Sequence, residues 1–395
     1  MSKENPLVLL PPKAPALAEY VAPPIRAYRP GDTLFAGPTA TLLAHNGEPL
    51  TGIGLDCLPD ALAALLAHRP TGCLAVGAVS FDGLACRLTL CDTVTRAGPL
   101  PRQHHFRCGV NPVTITAVPS EEDYVKAVRC ATDRIAAGEL DKAVLARALS
   151  VTSARRLSVP GLLRHLGGHG YTFAVPIGTR RTLIGASPEL LISRRTQDGV
   201  STIVANPLAG SAPRGAGLAA DRQAAEGLMA SVKNRHEHRL VVEEVARALT
   251  PFCQDLHVPA EPTLLATPTL WHLSTLITGT LTDPAPSSLA LATALHPTPA
   301  IAGTPTEPAL ALITELEGGG GVERGYYCGL VGWTDAAGDG EWALALRCAV
   351  LDGDRRLRLY AGAGIVADSD PAGELAETNA KFGVMLDALD VRPAR

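Results

Sequence analysis

The stretch 359–389, LYAGAGIVADSDPAGELAETNAKFGVMLDAL, decides how the rest of the chain is read. It opens as a strand, breaks at Ala361-Gly362-Ala363-Gly364 and ends as a helix. The glycines allow close approach of backbone N–H groups to an anion. Residues three and four apart are neighbours on a helix, so Glu374, Glu377 and Lys381 share one face behind that glycine-rich turn. Two acids and an amine there are either a solvated face with i,i+4 ion pairs or part of a site. The AGAG stretch alone is weak evidence, since it is not G-x-G-x-x-G and no Walker loop is present.

Upstream, residues 326–351 read as a hairpin turning near Gly338-Asp339-Gly340. In its second strand, 341–350, a period of two puts Trp342, Leu344, Leu346, Cys348 and Val350 on one face. Ala343, Ala345, Arg347 and Ala349 form the other. Three alanines around one arginine leave a shallow space in which a guanidinium can grip a carboxylate bidentately. A structural acid is the plain alternative partner. Residues 142–151 form another strand, on which Lys142 shares a side with Val144, Ala146 and Ala148. A lysine among apolar groups can serve as a base, or it can snorkel from a strand end. RTLIGASPELLISRR (181–195) reads as strand, turn, strand, with Glu189 in the turn.

The helices are few and long. In PSEEDYVKAVRCATDRIAAGEL (119–140), Ser120 and three acids start a helix, Tyr124, Val128, Ala131 and Ile135 make its apolar stripe, and Gly138 ends it. Residues 221–249 read as one long helix with Leu228, Val232, Val241, Val245 and Leu249 on or near one face. Within it KNRHEHRLVVEE places Lys233, Asn234 and Glu237 on one side, with Glu244 further along. Carboxylates from two facing helices repel unless a divalent cation lies between them, and oxygen ligands with no nearby Cys favour Mg²⁺. His236 and His238 point about 200° apart on a helix and cannot share one zinc ion. Strands joined by hairpins with few helices imply antiparallel α+β layers, not a doubly wound parallel sheet.

Composition narrows the function. The chain has 395 residues, 46% hydrophobic and 19% charged, with a net charge of −4. It can build a large core, and nothing suggests a nucleic-acid partner or an anionic membrane. An anionic small substrate would need local cations. The nine cysteines include no C-x-x-C and read as reduced core residues of a cytoplasmic protein. The start, MSKENPLVLLPPKAP, has too short an apolar run for a signal peptide, and no run is long enough to span a membrane. The first 30 residues read as an extended proline-rich lead-in, and 31–118 as short strands plus the helix LPDALAALLAHRP. The loop after His296 and the Gly318–Gly321 run are expected to be mobile.

Taken in order, KAVLAR, GASPELL, NPLAGSAPRG, KNRHEH, LWHLSTLITGTL, LHPTPAIAGTP, DGEWALALRCA and YAGAGIVADSDPAGELAET resemble the chorismate-utilising enzymes. The resemblance covers roughly residues 115–390 and is highly specific. It implies a large layered sandwich of antiparallel sheets and helices, of the anthranilate synthase component I type, with two similar halves in one domain. Residues 1–114 would be its N-terminal part and 115–395 the catalytic core. It further implies that Glu237 and Glu377 hold Mg²⁺, with Glu374 and Asn234 acting through water on the ion. Arg347 and the backbone of Gly362, Ala363 and Gly364 would take the enolpyruvyl carboxylate of chorismate. His272 and Lys381 would line the ring-carboxylate side. Ala209, Gly210, Ser211, Ala300 and Ile301 would complete the substrate pocket.

The resemblance also sorts the chemistry. Family members that use a covalent lysine carry it where this chain has Ala209, so water is the expected nucleophile. Lys142 stands where water-using members have their base, and Glu189 would protonate the departing C4 oxygen. No glutamine-amidotransferase segment is found, and no such subunit is expected; the protein is expected to act as a monomer. The segments 295–309 and 338–349 resemble siderophore-type isochorismate synthases. Salicylate synthase, which adds pyruvate elimination, and a weakly active chorismate-binding relative stay open as alternatives. Two departures stand out: Asn234 where an acid is usual, and Ala302 where a serine is common.

Overall fold

The computed structural model describes residues 24–101 and 112–391. The start of the chain, most of the proline-rich opening and Cys108 lie outside the described residues. Within that opening, Pro24–Ala27 is a short helical turn with Ile25 packed into the core, not an extended segment. The described cysteines are all free thiols. Among the described residues no helix is long and apolar enough to cross a membrane.

Two large antiparallel sheets dominate. In the ten-stranded sheet Lys142–Ser153 pairs with Arg356–Ile365, which pairs with Cys348–Asp352, then Arg181–Ser187 and Tyr171–Gly178. The nine-stranded sheet is centred on Val200–Asn206, Leu190–Gln197, Gly340–Leu344 and Leu330–Asp335. Strands from the first hundred residues enter both: Thr33–Ala36 pairs with Tyr171–Gly178, and Leu74–Val79 with Leu330–Asp335. The main core lies where the sheets face each other, around Phe35, Val76, Phe173, Ile192 and Trp342. A second cluster seats the helix Pro371–Ala388 on the outer face of the ten-stranded sheet through Phe382 and Met385. A third joins Glu121–Ala136 and Thr306–Gly319 to the end of that sheet. The predicted cap Ser120 and the stripe Tyr124, Val128, Ala131 and Ile135 are all as expected.

Three strands change sheets, and these crossings shape the molecule's interior. Arg181–Ser187 belongs to the ten-stranded sheet and Leu190–Gln197 to the nine-stranded one, with Pro188 and Glu189 between. Gly340–Leu344 and Cys348–Asp352 run back alongside them, with Ala345, Leu346 and Arg347 between. Val200–Asn206 passes through Pro207 into Leu208–Pro213, which pairs with Leu270–Ser274 in a small third sheet. Proline has no N–H for a ladder, so Pro188 and Pro207 suit these breaks. At the middle crossing Arg347 takes φ 46°.

Four expectations change. The segment 341–350 is not one strand, so the alanine face around Arg347 does not continue through its left-handed kink. Ala361–Gly364 is no turn: the strand Arg356–Ile365 runs through it, and the chain turns only afterwards, before the cap Asp370. Residues 221–249 are two helices, Leu218–Ala230 and Val232–Leu249, parted at Ser231, whose hydroxyl accepts from the Asn234 N–H. The break turns Val232 outward, 83% exposed, whereas Val241, Val245 and Leu249 are buried as expected. The segment after His296 is packed, with Thr298, Ile301 and Ala302 buried, and Gly318 and Gly319 are helical.

Candidate active site

All three crossings and two helices converge on one cavity. The first crossing supplies Pro188 and Glu189, the second Leu346 and Arg347, the third Leu208, Ala209, Gly210 and Ser211. The Val232–Leu249 helix contributes Glu237, and the Pro371–Ala388 helix Glu377 and Lys381. His272, Ala300, Gly362 and Gly364 complete the set of expected residues on its wall. Ile301 and Ala363 do not line it; both side chains are in the core, and the Ile301 carbonyl accepts from Arg324 Nη1 at 2.7 Å.

The glycines at 362 and 364 are needed for space rather than for a turn. A side-chain carbon on Gly364 would collide with Glu237 Oε1 and come within 2.9 Å of Lys142 Cε. The carbonyl of Gly362 accepts from Lys381 Nζ at 2.7 Å. In a strand the N–H of a residue points the same way as its C=O, and residue i+2 repeats the pattern. The N–H groups of Gly362 and Gly364 therefore face the same open edge, beyond the point where Cys348–Asp352 stops pairing.

The three carboxylates that the two helices bring to the site, Glu237, Glu374 and Glu377, each have a lysine partner. Lys142, 0% exposed, places Nζ 3.0 Å from Glu237 Oε1, though off hydrogen-bond geometry. It lies one layer behind the cavity wall, so the lysine is buried and does not snorkel. Lys381 contacts Glu377 at 2.5 Å, and Lys233 contacts Glu374 at 2.5 Å. Burial, then the negative charge of Glu377, holds the Glu374 carboxyl above its ordinary range. Burial lowers the Lys233 ammonium, but Glu374 and then Glu237 and Glu377 outweigh it, so its pKa is raised. Glu374 and Asn234 open on an adjoining cavity that shares Ser211 and Glu377 with the first. Asn234 also donates from Nδ2 to Ser231 Oγ at 2.8 Å, tying it to the helix start.

Two further groups are poised by burial. Glu189, 4% exposed, accepts from the Leu208 N–H at 3.2 Å. Burial pushes its carboxyl up to about 7, against the pull of that N–H and of the Lys142, Arg347 and Lys381 charges. His272 contacts Ser211 Oγ through Nδ1 at 2.9 Å, while its Nε2 is buried without a partner. Burial, then Arg347 and Lys381, drive its pKa well below the usual imidazole range, so it is neutral.

The donor set suits a hard cation. Among the described residues no three His, Cys, Asp or Glu side chains converge tightly enough to ligate an ion alone. Mg²⁺ does not require that, because it binds through one or two carboxylates and keeps waters. Glu237 and Glu377, reaching one cavity from two helices, meet that need, and the repulsion felt at Glu374 marks the negative charge a cation would relieve. The two histidines of the helix take no part. Burial lowers His238 to about 4 and its Nε2 lies 2.7 Å from Thr275 Oγ1, while His236 is bonded to Arg239. Glu244 pairs with Arg247 on the surface.

Several wall residues had no signal in the sequence. Tyr327 and Cys328 line the cavity, and the Tyr327 hydroxyl would be 3.0 Å from a side chain on Gly362. Cys328 holds φ 63°, a conformation unusual for a residue with a side chain. Behind the wall, Arg324 and Glu317 form a buried ion pair that nothing in the GGGGVERGYY stretch announces.

A sandwich of two antiparallel sheets with a carboxylate- and cation-lined cavity at its strand crossings is the architecture of an enzyme class. A family model described as chorismate binding enzyme matches residues 98–390, and the chain belongs to that family. It is 44% identical over 392 residues to isochorismate synthase DhbC of Bacillus subtilis (strain 168), covering 93% of this chain and 96% of that protein. A crystal structure assigned as the 2,3-dihydroxybenzoate-specific isochorismate synthase DhbC of Bacillus anthracis superposes with TM-score 0.85 at 40% identity, covering 93% and 99% of the two chains. Anthranilate synthase component I of Streptococcus pneumoniae TIGR4 shares the fold, with TM-score 0.69 at 20% identity over 97% and 100% of the chains.

Proposed function

We propose that the chain is a Mg²⁺-dependent isochorismate synthase, with chorismate held in the cavity at the strand crossings. The observation that carries this reading is Glu189: a buried carboxyl with a pKa of about 7, on the wall of a cavity that also presents Arg347, Lys381 and neutral His272. A carboxyl protonated near neutrality is suited to general acid work. Arg347, with the N–H edge of Gly362 and Gly364, takes the enolpyruvyl carboxylate. Lys381 and His272 Nε2 face the ring carboxylate, and Ala209, Gly210, Ser211 and Ala300 border the ring. Mg²⁺ bound at Glu237 and Glu377, with Glu374 and Asn234 one step removed, supplies positive charge for that ring carboxylate.

Lys142 takes a proton from water as its oxygen bonds to C2. The ring double bonds shift, the C4–O bond breaks, and Glu189 gives its proton to the departing oxygen. One water enters and one leaves, so the net change is an isomerisation. Lys142 reaches the water only when Glu237 leaves its Nζ, which ties the base to the same carboxylate that serves the ion.

Purified protein incubated with chorismate and Mg²⁺ is expected to yield isochorismate on chromatography. Salicylate, an aminated product or no turnover would each overturn the assignment. Glu237→Gln is expected to raise the Mg²⁺ requirement steeply, and an unchanged requirement would remove Glu237 from the metal site.

A further inference from the structure

Of the four Arg-Arg pairs in the sequence, three, at 155–156, 180–181 and 355–356, lie far apart along the chain. The fold gathers them at one end of the ten-stranded sheet. Arg181 pairs across the ladder with Asp352, Asp352 with Arg356, and Arg356 with Thr152, just before Arg155. Three backbone bonds lock the turns together: Gly353 N–H to Arg180 O at 2.9 Å, Ser153 N–H to Arg355 O at 2.8 Å and Leu157 N–H to Asp354 O at 2.7 Å. All six arginines are exposed. Among the described residues the facing acids are Asp352, 3.2 Å from Arg356, and Asp354, 3.2 Å from Arg156. Among the described residues, the exposed guanidinium groups of Arg156, Arg180, Arg181, Arg355 and Arg356 outnumber these two carboxylates and make a local positive excess on a chain whose net charge is −4.

This patch does not serve the cavity. Six residues of strand separate Arg356 from Gly362, and eight separate Arg181 from Glu189, which at about 3.3 Å per residue is roughly 20–26 Å. That exceeds the Debye length of about 8 Å at physiological salt, so substrate is not drawn in by it. We propose that this end of the sheet is a docking surface for an acidic peptide segment of a partner protein. The pairs sit on strands spanning three inter-strand spacings, roughly 15 Å, the length of four or five residues of extended chain. Planar guanidinium forks grip carboxylates bidentately. The chain's overall negative charge disfavours a long polyanion such as duplex DNA or an anionic bilayer, whereas a short acidic segment meets only the patch.

The test uses the full-length protein and fluorescein-labelled poly-L-glutamate, followed by anisotropy at about 150 mM salt. Saturable binding is expected, weakened at least about tenfold in Arg180→Glu/Arg181→Glu, with kcat and KM for chorismate unchanged. Arg156→Gln/Arg356→Gln, which adds no negative charge, is expected to weaken it by a smaller factor. The inference fails if poly-L-glutamate does not bind, if both double variants bind like wild type, or if duplex DNA or phosphatidylglycerol vesicles bind more tightly than poly-L-glutamate. Unchanged turnover in the variants keeps these outcomes separate from the assignment of the active site.

Discussion

Two glutamates of nearly equal burial, Glu317 at 5% exposed and Glu189 at 4%, are treated in opposite ways by the fold. Glu317 meets Arg324 at both carboxylate oxygens, at 2.5 and 2.8 Å, and accepts the Ala146 N–H at 2.8 Å. Arg324 in turn donates to the carbonyls of Val144 and Ile301 and lies 4.4 Å over the Phe81 ring. The pair fills a gap in the sheet. Gly303–Thr304 pairs with the Lys142 strand at 142–143 and Val113–Val118 pairs with it at 148–153, so the backbone between them needs other partners. Among the described residues Glu189 has one backbone donor and no arginine in contact, and burial raises its carboxyl to about 7. One charge closes a structure; the other is held ready to exchange a proton. The same division separates Lys142 and His272, with their unsatisfied nitrogens, from the fully bonded Arg324.

If that division is correct, removing a poised group should stop chemistry and spare the fold, and removing a satisfied one should do the reverse. The largest expected effect is Lys142→Ala. Turnover should fall by about 10⁴-fold, the upper end of a general base's share, with chorismate affinity by calorimetry little changed. A rate near wild type would remove Lys142 from the reaction. Next comes Arg324→Met, which strands Glu317 in the interior. Breaking a buried pair costs about 3–5 kcal/mol, read as a shift in the urea midpoint, and Glu317→Gln/Arg324→Met should recover most of it. A loss below about 1 kcal/mol would mean that the pair is no brace.

Much of this arrangement was legible in the residues, and what was not has physical reasons. The Glu121–Ala136 helix was readable because its cap, stripe and terminator agree. The site residues were readable as a set only through their resemblance to a family, because each has an ordinary alternative. The sheet crossing at Ala345–Arg347 was invisible because alternation continues through it, and a left-handed arginine has no local signature. The helix break at Ser231 hid for the same reason: neither glycine nor proline marks it, and Asn234 supplies the cap's partner instead. The AGAG stretch misled because glycine serves both turns and close approach, and only the positions of Glu237 and Lys142 show which applies. Arg324 could not be paired with Glu317 without the gap that they fill.

Glu189→Gln sharpens the contrast because its two effects have opposite signs. Activity should drop by about 10²–10⁴-fold, since glutamine cannot donate an acidic proton. Wild-type rate should decline as pH rises through about 7, where Glu189 ionises, and the variant's residual rate should lack that limb. Stability moves the other way. The folded carboxyl titrates near 7 against 4.5 for the free group, so the folded state keeps a proton that the unfolded chain has lost. Wild-type stability therefore falls between those pH values, and above 7 the buried charge costs about 3 kcal/mol. The variant should match wild type at pH 4 and exceed it at pH 8 in urea denaturation. Equal stability at both pH values would show that the carboxyl is not poised.

The smallest expected effect tests whether poising reaches the neighbours of these groups. Ser211 Oγ is the partner of His272 Nδ1 at 2.9 Å and lies at the cavity wall. When the hydroxyl donates to Nδ1, the imidazole proton sits on Nε2, facing the space assigned to the ring carboxylate. Ser211→Ala removes that control but leaves a neutral ring that can still adopt the same tautomer part of the time. One hydrogen bond is worth about 0.5–1.5 kcal/mol, so KM for chorismate should rise about two- to tenfold while kcat changes less. The Ser211→Ala/His272→Ala double variant should then cost no more than His272→Ala alone, because the serine acts through the ring. Additive losses in that double-mutant cycle would place Ser211 in direct contact with substrate and end its role as the orienting group.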